Sequence, residues 1–197
     1  MKKMILLTTL LCFVLQPVAM AQDKMGPADD KAMMAAWEAY ATPGKIHEIL
    51  ASDNGSWTEE MVIYSKPDDP NPMKASLTSE SKMVLGGRYQ QTSHKGSMMG
   101  MPFEGTGFVG YDNASKKIVS IWMDNMGTGI MHLSGEYDGS PTMTLRGEVI
   151  DPLTGKAKQV RGTFTIVDDN TRKMEMFDTD ATGKEYKSME IFMKRKK

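Results

Sequence analysis

Beyond Gly55 the chain alternates apolar and polar positions with a period of two, the signature of strands with one buried face. Met143, Leu145, Gly147 and Val149 fall on one side of such a strand, and Thr142, Thr144, Arg146 and Glu148 on the other. Val160, Gly162, Phe164 and Ile166 oppose Gln159, Arg161, Thr163 and Thr165 in the same way. Met131, Leu133, Gly135 and Tyr137 oppose Ile130, His132, Ser134 and Glu136. A slip of one residue turns each apolar set outward, so the pattern constrains the register strongly.

Turn residues divide this region into ten predicted strands, near 56–65, 73–85, 87–97, 101–111, 117–124, 129–138, 141–151, 157–168, 171–180 and 184–195. Gly86-Gly87, Asp112-Asn113, Asn125 to Gly127, Asp138-Gly139, Thr154-Gly155, Asp168 to Asn170 and Thr182-Gly183 mark the links. Short links join antiparallel neighbours, so the simplest topology is an up-and-down meander. A flat meander leaves two unpaired edges, and closure removes them. The predicted fold is mainly β: a closed antiparallel barrel of about ten strands. Glycines at 105, 107, 110, 135, 147 and 162 lie inside predicted strands, where they ease the bending of a small barrel. An outer-membrane barrel needs an apolar outside and an aromatic girdle, and only 8% of the chain is aromatic.

The segment before Gly55 changes period. Asp30 is a candidate cap for a helix over 31–41, with Met33, Met34 and Trp37 on one stripe. Thr42-Pro43 is a candidate start for a second helix over 43–52, with Ile46, Ile49 and Leu50 on a face and His47 as a surface or lid residue. These one or two short helices are expected to close one end of the barrel. Ahead of them, Lys2 and Lys3 precede an apolar run from Met4 to Leu15, and Ala19-Met20-Ala21 offers a cleavage site. The run is shorter than the ~20 residues a spanning helix needs. The expectation is a signal peptide over 1–21 cut after Ala21, a lead with helices over 22–54, and a barrel domain over 55–197. The product is then periplasmic or secreted, with no stable membrane insertion.

Composition narrows the chemistry. Cys12 is the only cysteine and lies in the leader, which excludes disulfides, thiolate metal sites and a cysteine nucleophile from the mature chain. Without Lys2 and Lys3, 22 of the 24 basic residues stand against 25 acidic ones, a formal charge of −3. That balance offers no footprint for nucleic acid. Methionine is the odd term: 17 of 20 remain after the leader. Such a content suits a pliable apolar cavity or thioether ligation of a soft metal.

Several strings carry a resemblance. Gly55-Ser56-Trp57 and Gly86-Gly87-Arg88-Tyr89 come first, then Met98-Met99-Gly100-Met101-Pro102-Phe103-Glu104-Gly105. Gly110-Tyr111-Asp112-Asn113 and Trp122-Met123-Asp124-Asn125 follow. From about Pro43 to Lys194 the chain resembles the bacterial domain-of-unknown-function family fifteen seventy-nine. The resemblance implies a lipocalin-like (calycin-like) barrel, often exported, and supplies no activity. Haem-binding barrels of related shape use a histidine near the chain end. The last histidine here is His132, so no haem, and no other cofactor, is predicted.

The leading expectation is a barrel that binds a hydrophobic small molecule in its lumen. Its candidate ligand-binding residues are Tyr89, Glu104, Tyr111, Trp122, Met123, Asp124, Met131, His132, Met143, Met174 and Met176. A second reading is an enzyme using Glu104, Asp124 or His132, since a carboxylate or an aromatic–His–Asp spot inside a barrel can move protons. A third is Cu(I) binding through His94, Met98, Met99 and Met101, because soft thioethers with one imidazole suit that ion. A fourth is a partner-binding module with a filled lumen.

Overall fold

The computed structural model describes residues 27–137 and 139–197. The predicted signal peptide lies outside the described residues. Two helices, α1 (Pro27–Ala41) and α2 (Lys45–Ala51), precede ten strands. These are β1 (Gly55–Ile63), β2 (Met73–Val84), β3 (Tyr89–Met98), β4 (Met101–Asp112), β5 (Lys117–Asp124), β6 (Met131–Glu136), β7 (Thr142–Ile150), β8 (Ala157–Asp168), β9 (Thr171–Thr179) and β10 (Glu185–Arg195). Each strand pairs antiparallel with its neighbours in the chain, and β1 pairs with β10, so the sheet is a closed barrel as the alternation predicted. The seam runs from Trp57↔Arg195 to Ile63↔Met189.

The pleat sorts side chains as the period of two requires. Met61, Leu77, Phe103, Ile118, Leu133, Met143, Leu145, Val160 and Ile191 are buried inside. They form two apolar clusters. One is centred on Ile118, Leu133 and Leu145 beneath Leu50 of α2, the other on Met61, Leu77, Met98 and Phe103. Glycine serves close approach more than bending. A Cβ on Gly135 would lie 2.2 Å from the Thr144 carbonyl oxygen, and one on Gly147 would lie 2.1 Å from that of His132. Strands β6 and β7 can touch there only because neither residue has a side chain.

The helices depart from expectation. Residue Thr42 does not open α2: its hydroxyl and backbone N–H both bond the Glu38 carbonyl and end α1. Gly44 is the N-cap of α2, and its N–H donates to Nδ1 of His47 at 3.0 Å. His47 is buried rather than on the surface, and its ring meets Tyr111 edge-on. Only α2 closes the barrel end. Helix α1 stands clear, with Met33, Met34, Trp37 and Tyr40 exposed, and is held by Asn113, whose amide donates to the carbonyls of Ala39, Tyr40 and Thr42. The predicted apolar stripe of α1 therefore has no barrel surface to cover.

The plug formed by α2 is fastened at many points. Gln90 Nε2 donates to the Leu50 carbonyl at 2.6 Å and Trp57 Nε1 to that of Asp53 at 2.9 Å. Arg172 Nε donates to the Asp53 carboxylate at 2.6 Å, and Arg195 reaches the carbonyls of Ser52 and Asn54. The last carbonyls of a helix need donors: the N–H groups of Ser52, Asp53 and Asn54 supply them locally, and the barrel rim adds one on Leu50 and holds the residues that follow.

Outside, an ion ladder crosses β9 and β10. Lys173 lies 2.8 Å from Glu175, Lys187 lies 3.5 Å from Glu175 and 2.5 Å from Glu190, and Tyr64 donates to Glu190 at 2.9 Å. The Lys173 ammonium holds Glu175 below its ordinary value of 4.5, and the Lys187 ammonium does the same for Glu190. Groups lowered in the folded state stabilise it fully above their unfolded value and lose that contribution as pH falls through the folded one. The melting temperature should therefore hold from about pH 5 to 8 and decline below 4.5. Calorimetry of Glu190→Gln should show a shallower acid decline than the parent. A parallel decline in both proteins would remove the ladder from the account.

Candidate functional site

Residues of the inward rows enclose a cavity of about 350 Å³ that extends from Ile49, Leu50 and Asp53 at the α2 end to Asp124 and Met126 at the other. That is within the range of small-molecule pockets, roughly 300–1,000 Å³. Most of the wall is apolar and adaptable: Met131, Met143, Met174, Met189, Met193, Phe164 and Ile191 form a side contributed by β6 to β10. Methionine fills irregular space without strain, which suits a wall that must adjust to a guest.

The facing side, from β1 to β5, is different. In Trp57-Thr58-Glu59-Glu60-Met61 the alternation sends Trp57, Glu59 and Met61 inward and Glu60 outward to Ser76. Glu59 is 0% exposed. A carboxyl group so placed requires partners, and it has two. Ser79 Oγ donates to Oε1 at 2.5 Å, and His94 Nδ1 lies 3.0 Å from Oε2. The register explains the meeting, because β2 sits between β1 and β3 and Ser79 pairs directly with both Trp57 and His94. Ser81, Gln90, Thr92 and Ser120 extend this polar stripe along the lumen.

Trp122 and Asp124 hold the stripe from the side. The Trp122 ring meets His94 edge-on with centroids 4.9 Å apart. Its Nε1 donates to Asp124 Oδ2 at 2.7 Å, and Asp124 Oδ1 accepts from Met126 N–H at 2.9 Å. The ring lies over Gly105 and Gly107, and a Cβ on Gly105 would come within 2.4 Å of it. The glycines of β4 thus make room for an indole that buttresses the histidine. Asn125 pins the following loop to β4, donating to the Pro102 carbonyl and accepting from Glu104 N–H.

The candidates read from the sequence divide into two groups. Trp122, Asp124, Met131, Met143, Met174, His94 and Met98 line the lumen. Met176 is buried in the apolar cluster beside it. Met123 faces outward at 36% exposure, because Trp122 and Asp124 take the inward positions of β5. His132 is exposed on the outer surface, and Glu104 is exposed there with Lys95 3.9 Å away. Asp124 is therefore separated from both groups proposed to act with it. Tyr89 and Tyr111 border a separate groove of about 360 Å³ outside β4 and β5. The thioether set is split as well. Met99, at φ 53°, and Gly100, at φ 76°, form the tight turn between Met98 and Met101, leaving Met99 and Met101 exposed while His94 and Met98 point inward. Among the described residues no cluster of three or more His, Asp or Glu suits a metal ion.

Glu59, Ser79, Ser81 and Gln90 escaped the sequence reading. Their signal was present in the alternation: Glu59 sits two residues from Trp57 and two from Met61, so a strand that buries both must bury it.

Comparison with known proteins agrees with this architecture. The family model described as "Protein of unknown function (DUF1579)" matches residues 42–195. No curated protein matches the chain. Among solved structures, Rv2717c from M. tuberculosis is 14% identical and aligns over 79% of this chain and 100% of its own, with a TM-score of 0.54. A redesigned beta barrel is 12% identical over 75% of this chain and 95% of its own, with a TM-score of 0.41. At such identity the first likeness speaks for the fold alone.

The buried pair sets a stability expectation. Removing one partner strands the other, which costs about 3–5 kcal/mol for buried ion pairs, whereas replacing both with packed apolar groups is nearly neutral. Glu59→Ala should lower the unfolding free energy by ~3 kcal/mol, and Glu59→Leu/His94→Phe should recover most of it. Urea unfolding of the three proteins checks this. A double variant no more stable than Glu59→Ala would mean that the cost does not come from stranding His94.

Proposed function

Since this chain belongs to the DUF1579 family of proteins of unknown function, its site is the only guide to a role, and we propose that it is an exported barrel that holds an apolar small molecule in its lumen. The observation that carries this reading is the two-sided cavity: a methionine-rich wall facing one polar stripe around Glu59 and His94. Desolvation of a guest favours binding by roughly 25 cal/mol per Å² of apolar surface. Association entropy offsets part of it. The adaptable wall accommodates shape, and the stripe offers a fixed point for orientation. Export is supported by the basic, apolar and small-residue leader over 1–21. In this reading the guest enters at the end opposite the fastened α2 plug, where Asp124 and Met126 border the cavity.

An environment-sensitive apolar dye such as 1-aminoanthracene should brighten saturably with the mature protein. Met174→Trp, which fills the cavity from β9, should abolish the enhancement while cooperative unfolding persists. Equal enhancement in that variant would place the dye outside the lumen and end the reading.

A further inference from the structure

Resting on lumen binding, we infer that the guest is a neutral apolar molecule bearing one carbonyl-type acceptor, held between His94 Nε2 and Ser81 Oγ. Three observations lead there. Nδ1 of His94 is engaged by Glu59, whereas Nε2 has no protein partner among the described residues and is not sealed within the packing. Ser81 Oγ is fully buried and lacks a partner, on a residue only 7% exposed that lines the same cavity. An unmet hydroxyl in an interior is costly, so a group that satisfies it is favoured.

Burial of the pair favours a hydrogen on Nε2. If the pair is carboxylate and imidazolium, both ring nitrogens carry hydrogen. If it is carboxylic acid and neutral imidazole, the acid hydrogen sits between Oε2 and Nδ1, and the ring hydrogen is on Nε2. Only a carboxylate beside a neutral ring bares Nε2, and that leaves net negative charge on a group with 0% exposure. Both neutral arrangements present an N–H donor to the lumen.

Ser79 pairs with His94, so Ser81 is its diagonal neighbour, about 7–8 Å away along the inward face. A turn of the Ser81 side chain, whose Oγ is closed off within the packing, would let one guest oxygen accept from both, and a carbonyl oxygen has the two lone pairs required. A carboxylate guest fits poorly. Glu59 and Asp124 already place carboxyl groups on the wall, and the two cations among the lining residues, Arg172 and Lys173, are committed to Asp53 and Glu175. A bound anion would lack a free counter-charge.

The test uses three ten-carbon competitors, decane, 2-decanone and decanoate, displacing 1-aminoanthracene from the mature protein. 2-Decanone should displace at about tenfold lower concentration than either of the others. His94→Phe should bring it within about threefold of decane, and Ser81→Ala should take away part of the preference. In the wild-type protein, infrared spectra of ¹³C-carbonyl 2-decanone should show the stretch at lower frequency than in hexane, shifting partly back in Ser81→Ala. This readout decides the matter even if His94→Phe does not fold. Decanoate matching or exceeding the ketone, or a preference unchanged in His94→Phe, overturns the assignment while lumen binding stands. A dye that never binds overturns both.

Discussion

Pairing of the first strand with the last is the constraint on which the rest depends. Trp57 to Ile63 lie against Arg195 to Met189, residues more than a hundred positions away in the chain. Loop-closure entropy opposes such long-range pairing, so the apolar interior must offset it. Once closed, the barrel has no free edge and possesses an inside. Strand β1 then has β10 on one flank and β2 on the other, and its inward carboxylate, Glu59, loses all contact with water.

That desolvation organises the polar half of the lumen. A carboxyl group without solvent demands donors, and the neighbouring strands supply Ser79 and His94. His94 is buttressed in turn by Trp122, Trp122 is oriented by Asp124, and the room for its ring comes from Gly105 and Gly107. Residues from four strands thus answer one buried group on a fifth. The opposite wall has no such obligations, and flexible thioethers occupy it. A rigid polar stripe facing a compliant apolar wall can orient a guest while tolerating variation in its shape.

The barrel ends are managed differently. At one, side chains from β1, β3 and β10 grip carbonyls of α2 and of the residues after it, and Arg172 of β9 grips the Asp53 carboxylate, so the plug is part of the barrel. At the other, the β5–β6 link is pinned by Asn125 while Met126 borders the cavity. Helix α1 plugs neither end: Asn113 of the β4–β5 link ties down its C-terminus, and its apolar residues stay exposed.

Much of this was legible in the chain. Period-two alternation and turn residues reveal ten antiparallel strands, their inward rows and the reason to close, because side-chain direction in a strand is local geometry. The same parity placed Met131 and Met143 inside and His132 outside. It implied Glu59 as well, which that reading passed over. Which inward residues meet is another matter. Glu59 and His94 are 35 positions apart, and their contact arises only when β2 brings β1 and β3 into register. The parting of Met99 and Met101 from His94, the isolation of Asp124 from Glu104, and the exposure of α1 are likewise products of three-dimensional packing. Local sequence determines the face on which a side chain sits; only the folded barrel decides what stands across from it.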